Sequence, residues 1–274
     1  MGKALGSTRI LEFQSDIKIC PKCGGKKELI IDIAGEKRKI PCLCRCESEE
    51  YESLQEIEEQ RQKIYRLEKL RSHSLMGEQF KKCNFANFKI DSKNKGMYKL
   101  GKNYCSDWQE MKEENMGLLL YGPPGTGKTF LVFCIANELL ENMVPVIAIS
   151  SIGLLNRIKE TYNKWGREAE VEVINNLKNA SLLIIDDLGA ENNTDWAKEK
   201  VYEIIDSRYR DGKPCIITTN LDREGLKHKL AGDDGVYRTY DRIIEMCYPI
   251  EVKGTSRRAE AAREKEDLIR KLIE

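Results

Sequence analysis

From residue 117 onward the chain alternates short, almost unbroken apolar runs with longer amphipathic stretches. Residues 117–121 (GLLLY), 145–150 (PVIAIS), 181–187 (SLLIIDD), 214–220 (PCIITTN) and 248–252 (YPIEV) have strand length. Between them, 130–142, 151–163 and 195–210 read as helices, the last stopping near Gly212. Near-continuous apolar strands separated by helices predict a parallel sheet covered on both faces, an α/β fold.

Upstream the pattern changes. Residues 94–113 read as one helix leading into the first of these strands, and Phe80, Phe85 and Phe88 mark an aromatic lead-in that packs at the domain edge. Residues 47–75 are highly charged and free of Gly and Pro, with Tyr51, Leu54, Ile57, Ile64 and Leu67 as a narrow apolar stripe. They predict a linker helix, either solvated or partner-binding. Before it, 28–33 and 37–40 are suited to pair as a hairpin turning at Ala34-Gly35-Glu36. Residues 1–19 carry little signal beyond a short interaction arm. The expected organisation is a small module at 1–46, a linker helix at 47–79 and a large domain at 80–274.

Composition narrows the classes. The 274 residues hold 46 Lys and Arg against 45 Asp and Glu, so any nucleic-acid contact must come from a local patch rather than bulk charge. No apolar run approaches a membrane span and no apolar signal core opens the chain, which predicts a cytoplasmic protein with no membrane partner. Five of the ten cysteines crowd into 20–46 and the rest are scattered singly. That distribution argues for a metal in a reducing compartment rather than a disulfide scaffold.

The densest chemical signal is Gly122, Pro123, Pro124, Gly125, Thr126, Gly127, Lys128 and Thr129, which fits G-x-x-x-x-G-K-[ST] at every fixed position. A strand precedes it and a helix opened by Phe130 follows, so backbone N–H groups and a positive helix end converge where a phosphate chain would sit. Lys128 is then a point charge for β- and γ-phosphates, and Thr129 a hydroxyl for Mg²⁺. The run ending in Asp186-Asp187 has the form of a Walker B strand. Asp186 suits a hard cation that keeps its waters, and Asp187 stands where it can orient the attacking water or accept its proton. Asn220 ends the next strand at the carboxyl edge of the sheet, where such sheets bind ligands.

Cys20 and Cys23 form a C-x-x-C knuckle, and Cys42, Cys44 and Cys46 follow across residues 24–41. This spacing predicts a tetrahedral zinc site, with Gly24 and Gly25 letting the chain turn so that backbone amides face the sulfurs. Five thiols compete for four places; Cys44, in the middle, is the hardest to leave out. A module this small needs the metal as part of its folding energy.

One additional strand, 145–150, separates the two Walker motifs, as in the additional-strand P-loop ATPases. GPPGTGKT (122–129), LLIIDDLGAE (182–191), TDWAKEKVYEIIDSRY (194–209), IITTNL (216–221), RTYDRI (238–243) and GTSRR (254–258) extend the match. Together they resemble the AAA+ replicative helicase loaders of bacteria and phages, the DnaC/DnaI type, with the IstB-like transposition ATPases as close relatives. The likeness covers about 80–258, and the cysteine module is similar to the zinc-bearing N-terminal domain of some loaders.

The resemblance implies a P-loop AAA+ ATPase using ATP and Mg²⁺, which self-associates through its ATPase domain. It further implies a protein that grips the ring-shaped, hexameric replicative helicase through its N-terminal region and places it on single-stranded DNA. By the same likeness Asn220 is the sensor 1 amide and Arg242 the arginine finger reaching a neighbour's ATP, with Arg238 one turn away as the alternative. Arg258 is the sensor 2 arginine. The family pattern carries an aromatic residue where this chain has Arg257. If Ser256 caps the last helix, Arg257 and Arg258 oppose its dipole by a few tenths of a kcal/mol, so they answer some other charge. Residues 156–165 mix cations, amides and aromatics, suited to tracking phosphates and stacking on bases or to a solvated amphipathic helix. Two alternatives share the sequence features: a transposition helper that binds duplex DNA, and a zinc-dependent recruitment adaptor with ATP as a structural ligand.

Overall fold

The computed structural model describes residues 17–33, 36–74, 77–78, 80–164, 167–232, 234–258, 266, 269–270 and 273. The chain divides into two compact units, Met1–Tyr65 and Arg66–Glu274. The division falls inside the long charged helix.

In the first unit β1 (Glu28–Ile33) and β2 (Glu36–Pro41) pair antiparallel, with Leu29 opposite Ile40. Ala34 and Gly35 of the expected turn lie outside the described residues, as do residues 1–16 of the arm. Helix α1 (Arg45–His73) opens between Cys44 and Cys46. Tyr51, Leu54, Ile57 and Ile64 of its stripe are all exposed. Ion pairs one turn apart, such as Arg45–Glu49 at 2.8 Å, support it instead. The last turns of α1 belong to the second unit, where Leu67 and Leu70 pack on the core and Arg71 pairs with Glu141.

The second unit holds α2 (Lys95–Ser106), α3 (Trp108–Glu113), β3 (Gly117–Tyr121), α4 (Lys128–Glu141), β4 (Val146–Ser150), α5 (Ser151–Lys164) and α6 (Arg167–Asn179). These are followed by β5 (Leu182–Asp186), α7 (Asp195–Arg210), β6 (Cys215–Thr219), α8 (Arg223–Lys229), α9 (Arg238–Met246) and β7 (Cys247–Glu251). The sheet runs β4-β5-β6-β3-β7 with every neighbouring pair parallel. Alternate residues feed two cores. Leu118, Leu120, Ala148, Leu182 and Ile184 pack with α2 and α4, whereas Leu119, Ile147, Ile149, Leu183, Ile185 and Ile217 pack with α5, α6, α7 and α9. Both faces are therefore apolar, which is why the strands read as unbroken runs. The α/β fold expected from the sequence is borne out.

The elements differ from expectation in several places. The helix expected over 94–113 breaks at Asp107, which ends α2 and begins α3. The break turns Trp108 into the core beside Tyr104, with ring centroids 6.1 Å apart. Helix α4 begins at Lys128, earlier than expected, and β7 begins one residue early at Cys247. Helix α6 was not foreseen, although Ile174 and Leu177 are buried at helical spacing. Helix α8 was not foreseen either, although Asp222 caps it by accepting from Gly225 N–H at 2.7 Å.

Arg208 on α7 is fully buried. It donates to the carbonyls of Leu177 and Ala180, both at 2.9 Å, and of Pro214 at 2.7 Å. Its charge thus closes the C-terminal end of α6, where helix carbonyls lack partners, and ties it to the start of β6.

Candidate nucleotide site and cysteine cluster

Strand order decides where the motifs meet. Strands β5, β6 and β3 are adjacent, so the loop after β3, the acidic end of β5 and Asn220 after β6 share one carboxyl edge. They line a cavity of about 660 Å³, together with Phe130 and Arg258. Gly127 precedes α4 with φ +98°, a left-handed conformation that a side chain resists, and no side chain caps the helix. The first amides of α4 are consequently left for an anion.

Lys128 is buried. Its ammonium donates to the carbonyls of Gly122 (2.7 Å) and Pro123 (2.8 Å) and to Asn220 Oδ1 (2.9 Å). Burial holds its pKa below the usual lysine value, partly offset by the Asp187 and Asp186 carboxylates; the charge of Arg258 lowers it further. Asp186 is buried and its pKa is pushed up by that burial, against two hydroxyl hydrogen bonds from Thr218 (2.7 Å) and Thr129 (2.9 Å). A buried carboxylate with only neutral donors is electrostatically undersupplied. Together with the Thr129 hydroxyl it offers a hard-oxygen set that fits Mg²⁺.

Asp187 adopts φ +58°, rare for a residue with a side chain and costing on the order of 1–3 kcal/mol. Three bonds to neighbouring side chains hold it there. Its N–H donates to Thr218 Oγ1 (2.9 Å), its carbonyl accepts from Ser151 Oγ (2.9 Å) and its carboxylate accepts from Asn220 Nδ2 (2.5 Å). Asn220 therefore bridges Lys128 and Asp187 with the two ends of one amide. Thr218 was not singled out from the sequence. Its signal is a polar pair, Thr218-Thr219, in a strand otherwise built of apolar residues.

The candidate arginines separate. Arg257 and Arg258 both line the cavity, and Arg257 is held there by Lys89 and Asp91. Arg242 lies elsewhere, on α9. Its Nη2 is 2.6 Å from Asp206 Oδ1, and its guanidinium carbon is 4.8 Å from the Tyr202 ring centre and 5.7 Å from that of Tyr209. Arg238 pairs with Asp234 at 2.7 Å and is more exposed. In the 156–165 segment, Arg157 pairs with Glu160 (3.7 Å) and Lys159 sits 4.8 Å over the Trp196 ring. Trp165 lies outside the described residues.

In the first unit, Cys20, Cys23, Cys44 and Cys46 place their sulfurs within 4.8 Å of one another. Neighbouring pairs lie closer, 3.6 Å for Cys20–Cys46 and 3.2 Å for Cys44–Cys46. A tetrahedron with Zn–S bonds of ~2.3 Å has edges of roughly 3.8 Å, so the set fits zinc. The fifth thiol, Cys42, instead donates to the Lys26 carbonyl at 3.5 Å. Backbone amides face the knuckle. The N–H of Cys46, then that of Gly25, pulls the Cys23 thiol down to about 6, and the N–H groups of Cys23 and Lys22 lower Cys20. Burial pushes Cys44 the other way, which a cation beside it would reverse.

The family model described as IstB-like ATP binding protein matches residues 51–265. The chain belongs to this family. It is 29% identical over 167 residues to the replicative helicase loader DnaC of Buchnera aphidicola subsp. Baizongia pistaciae (strain Bp), covering 60% of this chain and 66% of that protein. It is 32% identical over 189 residues to the phage-like element PBSX protein XkdC of Bacillus subtilis (strain 168), covering 65% of this chain and 67% of that one. The chain thus spans about two thirds of the length of these curated relatives. Among solved structures it is similar to DnaI, with 26% identity and a TM-score of 0.56 over 67% of this chain and 94% of that chain. The AAA+ P-loop fold and the resemblance to the DnaC/DnaI type drawn from the motifs are borne out. Among the described residues no helix is long and apolar enough to cross a membrane.

Proposed function

We propose that this IstB-like ATPase is a helicase loader: it binds the replicative DNA helicase and, in an ATP-dependent assembly, helps place it on single-stranded DNA. The observation that carries the reading is the convergence of Lys128, Asp186, Asp187, Asn220 and Arg258 on one cavity in a chain whose relatives include DnaC loaders. In hydrolysis Lys128 exchanges the loop carbonyls for β- and γ-phosphate oxygens, and the α4 amides hold the phosphate chain. Thr129 and Asp186 would hold Mg²⁺, which would supply positive charge against that developing on the phosphates. Asp187, released from the Asn220 amide, orients the attacking water, while Asn220 and Arg258 read the γ-phosphate. Arg242 from a neighbouring subunit completes the site. The 1–46 module, with zinc on Cys20, Cys23, Cys44 and Cys46, is the grip on the helicase, and 80–274 is the ATPase proper.

The test is helicase loading in solution. The host replicative helicase is offered to wild-type protein and to Lys128→Ala, on circular single-stranded DNA without free ends. The expected result is ATP-dependent retention of the helicase ring by the wild type only, lost when the cysteines are substituted. Retention of duplex DNA and a transposase instead, with no helicase bound, would establish the transposition-helper alternative. Tight ATP binding without turnover under any of these conditions would establish the adaptor.

A further inference from the structure

Two segments far apart in sequence, 89–94 and 254–258, line the same cavity, and one side chain joins them. Arg257 Nη1 donates to the Lys89 carbonyl at 3.1 Å, and its Nη2 donates to the Asp91 carboxylate. Its own backbone N–H donates to Gly125 O, in the phosphate loop, at 3.0 Å. Ser256 presses on the same loop: a Cβ at Gly125 would lie 2.2 Å from Ser256 Oγ, so only glycine fits there.

The far end of this tie is itself fixed. The Asp91 carboxylate accepts from the N–H groups of Lys93 (2.8 Å) and Asn94 (2.9 Å). The Asn94 side chain accepts from Asp91 N–H (2.7 Å) and donates to the Lys89 carbonyl (2.8 Å). The Lys89 carbonyl thereby takes one bond from Asn94 and one from Arg257. Neither Lys128 nor the acidic pair takes part in this network. Phe88 and Met97 line the same cavity.

We infer that Arg257 is a positioning residue. Acting through Lys89, Asp91 and the phosphate loop, it holds the wall of the nucleotide cavity shut and sets how long a nucleotide stays. This rests on the nucleotide-site reading above and adds to it a residue that stands where the resembled pattern carries an aromatic. The side chains of the pair are 34% and 50% exposed. A pair so exposed contributes little to global stability. Its effect therefore falls on the opening of the cavity rather than on folding. A contribution of this size amounts to at most about a fivefold change in dissociation rate.

The experiment follows release of a fluorescent ADP from full-length wild type, Arg257→Ala, Asp91→Asn and the double variant by stopped flow. Melting of the nucleotide-free proteins is measured alongside. Each single variant should release nucleotide faster, by up to about fivefold. The double variant should be no faster than Arg257→Ala, because that variant has already lost the Asp91 contact. Arg257→Lys should fall between, keeping a charge for Asp91 but losing the forked reach to Lys89. Unchanged release in both singles would overturn the inference, as would additive effects in the double. So would faster release with an equal fall in the melting temperature of every nucleotide-free variant, because that marks a merely structural role. Failure of the wild type to bind ADP at all would instead remove the nucleotide site on which the inference stands.

Discussion

Arg242 offers the sharpest test of trans catalysis, because it is paired with Asp206 within its own chain. Its side chain is 21% exposed and that of Asp206 15%, and the two approach to 2.6 Å. The contact is an ion pair without hydrogen-bond alignment, and Arg242 Nη1 is buried with no acceptor among the described residues. An exposed pair contributes up to ~1 kcal/mol, and breaking a fully buried one costs ~3–5 kcal/mol. This pair lies between, and stacking on Tyr202 and Tyr209 adds up to about 1 kcal/mol. Withdrawing Arg242 from α7 therefore costs about 2 kcal/mol, a factor near thirty. An arginine supplied in trans is worth on the order of 10³–10⁵ in rate, roughly 4–7 kcal/mol, so the finger wins over the resting pair.

Three results follow for steady-state ATPase measured against protein concentration. Arg242→Ala should bind ATP nearly normally yet lose on the order of 10³-fold or more of its turnover. Asp206→Asn should raise turnover several-fold at limiting protein concentration, because the resting pair is weakened. Mixing Arg242→Ala with Lys128→Ala should restore activity, since one supplies an intact pocket and the other an intact arginine. Asp206 keeps Arg210 at 3.0 Å in Arg242→Ala, so that variant should still fold, which melting checks. Turnover by a proven monomer that is independent of concentration and untouched by Arg242→Ala would refute the reasoning.

Asp187→Asn should keep ATP affinity and lose turnover, whereas Lys128→Ala should lose most triphosphate affinity; equilibrium binding and phosphate release separate the two, and normal hydrolysis by Asp187→Asn would reverse the roles given to the acidic pair. Asp186→Asn should abolish Mg²⁺-dependent binding yet raise the melting temperature of the nucleotide-free protein at neutral pH. The sign follows from burial: the folded pKa lies above the ordinary 3.8, so the unfolded chain releases that proton more readily and the wild type loses stability as pH rises from 3.8 through the folded value. Purified protein should carry about one zinc, kept by Cys42→Ser and lost by Cys20→Ser or Cys44→Ser, as read by elemental analysis. Retention should fall steeply below neutral pH as protons compete for the thiolates, and equal zinc loss in Cys42→Ser would overturn the ligand choice.

What was legible in the sequence was chemistry that demands particular residue types at fixed spacing. The phosphate loop needs glycines and a lysine in one run, and a doubly covered strand needs apolar residues at every position, so both announce themselves locally. What was hidden depends on partners distant in the chain. Spacing made Cys44 the hardest to leave out but could not choose between Cys42 and Cys46, because that depends on the fold-back that brings Cys42 to the Lys26 carbonyl. Arg208 reads as one more cation on an amphipathic helix until α6 ends above it and presents unpaired carbonyls. The same holds for the two arginines beside motif positions. Arg257 and Arg242 are each written next to a recognisable signature, but the signatures do not reveal the carboxylates that hold them: Asp91 lies in a segment with no motif, and Asp206 in the separate 194–209 stretch. Both cations are thus paired within one chain. The free energy of those pairings is what ligand binding and assembly must exceed. A motif reports the finished site, and the ion pairs report the resistance to completing it, which is why substituting Asp206 should change the rate in the opposite direction from substituting Arg242.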